Sequence, residues 1–101
     1  KDQLIFEASM VGFDALITPT VLEPAPRLDD IDEDFTPGYF TRPLNYIDMS
    51  ALALPTAYSA KGLPTSLQIA VPAGRENFVI QMGTALEKAL GLTKQPDFSP
   101  L

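Results

Sequence analysis

Proline limits regular secondary structure in this chain more strongly than any other residue type. The sequence has 10 prolines in 101 residues. The segment from Thr20 to Pro43 holds four of them, namely Pro24, Pro26, Pro37 and Pro43. Each proline fixes φ and removes a backbone donor, so neither a long helix nor a central strand can run through this segment. We therefore expect a long surface loop here, with regular elements on either side.

Before the loop, the sequence predicts a helix followed at once by a short buried strand. Apolar residues recur at helical spacing from Asp2 to Val11, and Gly12 provides a stop. The run from Phe13 to Thr18 is short, apolar and compatible with β structure, and Pro19 ends it. The residues that carry the helical pattern are Leu4, Ile5, Ala8 and Val11.

After the loop, the pattern predicts a short helix and then a hairpin. Pro43 to Ser50 suits one or two helical turns opened by a proline. Ala51–Tyr58 and Leu63–Val71 indicate two antiparallel strands, because the turn signal Lys61–Gly62 separates them. The second strand is expected to place Leu67, Ile69 and Val71 on one face and Ser66, Gln68 and Ala70 on the other.

The last helix is the clearest element. From Glu76 to Leu90 the apolar residues form one stripe at a period of 3.6, and Gly91 is placed to end the helix. Gly83 inside it costs roughly 1 kcal/mol relative to alanine, so we expect close packing to require it. The tail from Thr93 to Leu101 is predicted to be irregular.

Together these elements predict an α/β fold, with α+β as the alternative, in which helices cover a small mixed sheet that contains an antiparallel hairpin. We expect a single partial domain over residues 1–101. Its parts are a helix plus strand (1–20), a proline-rich acidic loop (21–43), a short helix, hairpin and final helix (44–91) and a tail (92–101).

Composition argues against several classes of function. The net charge is -6 and the 7 basic residues are scattered, which argues against a nucleic-acid surface. The sequence has neither a membrane-spanning run nor a signal-peptide pattern, so we predict a cytoplasmic protein that binds neither nucleic acid nor membrane. Cysteine and histidine are absent, which removes thiolate metal sites and the commonest general base.

The residue types present do not supply a complete catalytic or metal site. Without histidine, a serine nucleophile would depend on lysine. Ser59 precedes Lys61 by two residues, but both fall in the predicted turn, where an exposed lysine stays protonated. We therefore predict that this chain holds no catalytic residue and binds no cofactor.

The acidic run from Asp29 to Asp34 begins like a calcium loop. Phe35 and Thr41 stand where that loop requires glycine and glutamate, so the pattern fails. A solvated loop without a metal is the prediction, and a weak surface cation site is the alternative.

Five segments, in order, resemble the amidase signature family. The first, residues 13–20, reads FDALITPT and is similar to the family's F-D-x-L-x-T-P-T. The second, residues 41–45, reads TRPLN and resembles T-x-P-x-N. Leu54–Pro55 is similar to the S-x-P strand, and residues 62–68, GLPTSLQ, to the G-L-P-x-G-x-Q strand. The helix at 76–90 corresponds to the family's last helix.

The resemblance implies an amide hydrolase with a Ser–Ser–Lys triad on a larger α/β/α fold around a mixed sheet. In that family the triad lies upstream of the matching part, so no catalytic residue is carried over to this chain. We therefore predict a C-terminal fragment of an amidase-type hydrolase that is inactive alone. The alternatives are a non-catalytic binding or assembly module that kept only this part of the fold, and an unrelated small α/β adaptor.

The resemblance also supplies candidate partners and substrate-binding residues. A small amide is the expected substrate of the complete enzyme, and the missing N-terminal part or a second copy of the chain is the expected protein partner. Thr41 and Asn45 are the candidate substrate-binding residues, because T-x-P-x-N lies near the acyl pocket in the family. The alternative is that the Asn45 side chain holds the loop backbone.

The chain departs from the family pattern at several positions. Asp48 and Ser50 replace the glycine and proline of N-x-x-G-x-P-A, and Ser66 and Val71 replace glycines of the following strand. Gly38 stands where the glutamine-using branch usually has aspartate, which argues against glutamine as the substrate.

Overall fold

A computed structural model describes residues 2–32 and 38–91. The predicted tail and the end of the acidic run, Glu33 and Asp34, lie outside the described residues. The elements are α1 (Asp2–Ser9), β1 (Leu16–Pro19), a 3-10 turn (Leu28–Asp30), α2 (Arg42–Tyr46), β2 (Met49–Tyr58), β3 (Pro64–Pro72) and α3 (Glu76–Leu90). None of the helices in these ranges is long and apolar enough to cross a membrane.

The three strands form one sheet in the order β1-β3-β2. Ile69 in the central strand β3 is opposite Ile17 of β1 and Leu52 of β2. The predicted strands therefore share one sheet, which is the arrangement that argues against an unrelated adaptor. Both pairings are antiparallel. The described sheet is thus antiparallel throughout, whereas the expected sheet was mixed, and the α/β arrangement with its hairpin is confirmed.

The hairpin turn forms where the sequence predicts it. Gly62 has a φ of 82°, which few residues other than glycine adopt readily. Ser59 N–H donates to the carbonyl of Leu63 at 2.7 Å and closes the turn. Pro55 lies in β2, an edge strand of the described sheet, where the register shifts before Ala57. The proline therefore sits at an edge and an irregularity, as expected of a residue without a backbone donor.

Helix α3 covers one face of the sheet and builds the core. Ile69, Val71 and Val79 are almost completely buried there. Gly83 is also buried, and a Cβ atom at this position would overlap Cδ2 of Leu52 in β2. The close packing predicted for this glycine is therefore confirmed. Gly91 ends the helix in the left-handed conformation, with φ 62°.

Helix α1 differs from its prediction in length and orientation. The helix ends at Ser9, not at Val11, and Leu4 and Ile5 of the predicted apolar stripe are 68% and 58% exposed. Phe6 and Met10 are the half-buried residues instead. Helical spacing identified the helix, but the stripe does not face the described sheet.

The first strand begins later than predicted. Phe13 N–H donates to the carbonyl of Met10 at 2.9 Å, in a turn that includes Gly12 with φ 89°. The chain then bends at Asp14, and pairing with β3 starts at Leu16.

Candidate functional site

The candidate site is built around α2, which follows a tight turn at Gly38. The carbonyl of Gly38 accepts hydrogen bonds from Thr41 N–H at 3.2 Å and Arg42 N–H at 2.9 Å. A Cβ atom at Gly38 would come within 2.8 Å of Cγ and Nε of Arg42. The Arg42 side chain therefore lies against the Gly38 backbone and fills the space that a side chain at position 38 would need.

Thr41 and Asn45 lie one helical turn apart on α2. Thr41 is the N-cap residue with helical φ and ψ (-98°, -35°), so the two side chains project from the same side of the helix. Thr41 makes no side-chain cap hydrogen bond. Across residues 2–32 and 38–91, the Asn45 side chain shows no hydrogen bond to the backbone, which was the alternative role for it.

A hydroxyl and a carboxamide side by side can donate to a carbonyl oxygen and accept from an N–H group. The pair therefore has the hydrogen-bonding capacity to hold an amide. Thr41 is half-buried and Asn45 is exposed.

Burial and turn geometry hold the rest of α2 in place. Leu44 is 5% exposed, and the helix packs against β2. Ile47 N–H caps the helix by donating to the carbonyl of Pro43 at 3.0 Å. The chain then reverses at Asp48, which has a φ of 58°. This is the position at which the family pattern has glycine, so the unusual backbone conformation is present although the residue differs.

The sheet face opposite α3 carries a row of polar side chains. Gln68 is only 5% exposed, and its Nε2 donates to Thr18 Oγ1 at 3.2 Å and to the carbonyl of Phe40 at 3.0 Å. A short hydrogen bond joins Ser66 Oγ to Thr20 Oγ1. The alternation of residues along the strand correctly predicted that Gln68 lies on this face. The hydrogen bond from Gln68 to Phe40 was not predicted, because the local sequence pattern does not show which loop lies over a strand.

Among the residues that the structure describes, Glu76 is the one whose pKa the fold shifts most clearly. Its own backbone N–H, the Ser50 hydroxyl and the Gly74 N–H bond to the carboxylate and hold its pKa below the ordinary value. The distances are 2.9 Å from Ser50 Oγ and 3.3 Å from Gly74 N. The carboxylate thus links the start of β2 to the start of α3.

The described part of the acidic segment, residues 29–32, lies on the surface. Asp29 pairs with Arg27 at 3.6 Å, and both side chains are well exposed. Among the described residues no cluster of three or more acidic side chains is arranged to hold a metal ion. Ser59 and Lys61 lie in the hairpin turn, as predicted, where Ser59 Oγ accepts from Leu63 N–H at 3.2 Å.

A cleft of about 330 Å³ opens between α1 and the adjoining ends of β2 and β3. Its walls include Phe6, Met10 and Met49. Thr41 and Asn45 do not line it. The cleft and the α2 pair are therefore separate features of the described chain.

Comparison with known proteins identifies a match along most of the chain. The family model described as Amidase matches residues 3–80. A glutamyl-tRNA(Gln) amidotransferase subunit of Granulibacter bethesdensis is 34% identical over 95 residues, which cover 90% of this chain and 19% of that protein. The 6-aminohexanoate-cyclic-dimer hydrolase of Paenarthrobacter ureafaciens is 32% identical over 95 residues, which cover 78% of this chain and 19% of that protein.

A solved structure agrees with the sequence matches. The structure of 6-aminohexanoate cyclic dimer hydrolase superposes with a TM-score of 0.71 at 29% identity, over 89% of this chain and 21% of that one. The chain therefore spans about a fifth of the length of these relatives.

Proposed function

Because the chain belongs to the amidase family, we propose that it is the C-terminal part of an enzyme that hydrolyses carbon–nitrogen amide bonds. The observation that carries this proposal is the family match over residues 3–80, together with relatives whose names describe a hydrolase and an amidotransferase subunit. The nucleophile, its base and the oxyanion donors come from residues outside this chain.

In this proposal the chain contributes to substrate binding. Thr41 and Asn45 contact the amide substrate, which their paired hydroxyl and carboxamide groups are suited to hold. Gly38 and Arg42 shape the same end of α2, since the arginine side chain occupies the space over the glycine. Glycine at position 38 lacks the carboxylate that the glutamine-using branch usually has there, and a side chain at this position would require Arg42 to move. We therefore expect glutamine to be a poor substrate and other small amides to be better substrates.

The protein partner and the location belong to the same proposal. Several relatives are named as one subunit of an amidotransferase, which supports an enzyme that works with other polypeptides. The proposed location is the cytoplasm, where no membrane or nucleic-acid partner is required.

The test compares the 101-residue chain with the longer protein from the same gene. Ammonia or amine release is measured with linear aliphatic amides, an aryl amide, a cyclic amide dimer and glutamine. We expect hydrolysis by the longer protein, weak activity on glutamine and none by the chain alone. Failure of the longer protein on every amide would contradict the proposal and favour the non-catalytic binding module.

Two substitutions test the binding residues in the longer protein. Thr41→Val and Asn45→Ala each remove hydrogen-bonding groups, and loss of one such bond lowers kcat/KM about fivefold. Gln81→Ala, at an exposed position of α3, is the control and leaves kcat/KM unchanged. Unchanged kinetics in both α2 variants would remove Thr41 and Asn45 from the site.

A further inference from the structure

We infer that Gln68 is a positioning residue that sets where the α2 segment lies relative to the sheet. The inference rests on the proposed role of Thr41 and Asn45 in substrate binding, because these are the side chains that α2 presents. Gln68 touches neither of them. It acts through the backbone carbonyl of Phe40, the residue directly before Thr41.

The burial of Gln68 explains why its amide must form this hydrogen bond. The residue lies in the central strand, opposite Thr18 of β1 and Ala53 of β2, and is 5% exposed. A carboxamide removed from water destabilises the fold unless its hydrogen-bonding groups find partners. Within the described ranges, no buried side-chain nitrogen or oxygen lacks a partner.

Both hydrogens of Gln68 Nε2 are used, and each reaches a different segment. The Thr18 hydroxyl donates its hydrogen to the carbonyl of Pro19 at 2.9 Å, so its oxygen is left to accept from Nε2. The second hydrogen goes to the carbonyl of Phe40 at 3.0 Å. One side chain therefore joins the central strand, β1 and the residue that leads into α2.

The bond to Phe40 differs in kind from the other contacts that hold α2. The Gly38 turn is local and fixes the shape of the segment, but not its position on the sheet. Leu44 is buried, yet apolar contact has no preferred direction. The Gln68 bond is directional and starts from a rigid central strand. It therefore defines the distance of the start of α2 from the sheet, and the orientation of α2 there.

The geometry also explains why this position calls for glutamine. Asparagine is shorter by one methylene, which is about the difference between a hydrogen bond and no contact. Glutamate has no N–H group and would set a carboxylate against the Phe40 carbonyl. Leucine keeps a similar volume but leaves that carbonyl without its donor.

The competing explanation is that Gln68 only stabilises the sheet, through its bond to Thr18. Two matched variants distinguish this explanation from a positioning role. Thr18→Val removes the Gln68–Thr18 bond and keeps the bond to Phe40. Ser66→Ala removes the neighbouring cross-strand bond to Thr20, which does not involve Phe40. Thr18→Val also removes the bond from the hydroxyl to the Pro19 carbonyl. Neither variant removes the bond from Gln68 to Phe40.

The experiment is carried out on the longer protein from the same gene, with hydrogen exchange of the peptide over residues 38–46 and steady-state kinetics as readouts. For Gln68→Leu we expect exchange in this peptide to rise about fivefold and KM to rise about fivefold, while kcat changes less than twofold. Thr18→Val and Ser66→Ala leave both quantities unchanged. Gln68→Asn, the milder variant, gives the same direction if Gln68→Leu fails to fold.

The outcomes separate the two proposals. Unchanged exchange in Gln68→Leu and Gln68→Asn, or equal effects of Thr18→Val, would overturn the positioning role. Faster exchange with an unchanged KM would uphold the positioning role and overturn the substrate role of Thr41 and Asn45. Because exchange needs no turnover, it decides the role of Gln68 even if the enzyme activity proposed above is absent.

Discussion

Gly83 of α3 lies so close to Leu52 of β2 that a Cβ atom at position 83 would overlap the Leu52 side chain. Alanine at this position is therefore expected to destabilise the fold, although alanine is the better helix former. Overpacking a core costs about 1–3 kcal/mol, and the gain in helix propensity offsets roughly 1 kcal/mol of this. Thermal or denaturant unfolding of Gly83→Ala gives the net effect.

A double-mutant cycle tests whether Leu52 is the cause. In a Leu52→Ala background the space is open, so Gly83→Ala should become neutral or stabilising. Ala85→Gly, at an exposed position of the same helix, is the control and measures helix propensity alone. If Gly83→Ala is equally destabilising in both backgrounds, the contact with Leu52 does not explain the glycine.

Asp48 adopts a backbone conformation that glycine tolerates better, with φ 58°. Asp48→Gly is therefore expected to stabilise the fold by about 0.5–1 kcal/mol, because the strain of a side chain in the left-handed region is removed. Asp48→Asn should change little, and Asp48→Val should be the most destabilising of the three. Denaturant midpoints measure this order, and a stabilising valine would contradict it.

The carboxylate of Glu76 makes stability depend on pH. Hydrogen bonds from its own backbone N–H, from Ser50 and from Gly74 lower its pKa in the folded protein below the ordinary value of 4.5. A lowered folded pKa means that the stabilising contribution is fully present above the unfolded pKa. It is then lost as the pH falls below 4.5 and through the folded pKa.

Ser50→Ala removes one of these donors and should raise the pKa of Glu76 toward its ordinary value. The difference in melting temperature between the protein and this variant should be largest near neutral pH and should shrink on acidification. Glu87→Gln, which removes a negative charge from the other end of α3, is the control. A difference that grows on acidification would show that the sign of the linkage is wrong.

Exposed apolar surface on α1 predicts self-association of the 101-residue chain. Leu4 and Ile5 are more than half exposed, and β2 presents an edge of the described sheet. Such surfaces recruit other chains. We expect sedimentation at micromolar concentration to show oligomers, and Leu4→Lys with Ile5→Lys to shift them toward the monomer. Leu28→Lys, in the loop, is the control, and a compact monomer with a cooperative melt would contradict the prediction.

Sequence patterns correctly predicted the elements that are determined by packing among their own residues. The bounds of α3, the role of Gly83 and the two faces of β3 followed from periodicity, because these residues pack on one another. Periodicity located α1, but an apolar stripe shows which side of a helix is apolar, not whether a partner covers it, and Leu4 and Ile5 are exposed. The predicted start of β1 at Phe13 was wrong, because the chain turns at Gly12 and bends at Asp14 before pairing begins at Leu16.

The candidate site could be reached from the sequence only in part. Thr41 and Asn45 were named through a resemblance, and their substrate role stays a prediction. The contact between Gln68 and Phe40 could not be derived from spacing, since it depends on how the loop before α2 crosses the sheet. Long-range contacts of this kind are fixed by the tertiary arrangement and leave no local period in the sequence.

The strand order β1-β3-β2 has a consequence for how the chain folds. The β2–β3 hairpin and α3 are contiguous in sequence and can form through contacts between residues close in sequence. The contact between Thr18 and Gln68, by contrast, joins residues 50 positions apart. We expect β1 to dock last and to open first. The entropy of closing that loop grows only slowly, by about 0.6 kcal/mol for each doubling of its length. The proline-rich segment can therefore gain many residues while the hairpin and α3 keep their stability and the docking of β1 is only slightly weakened.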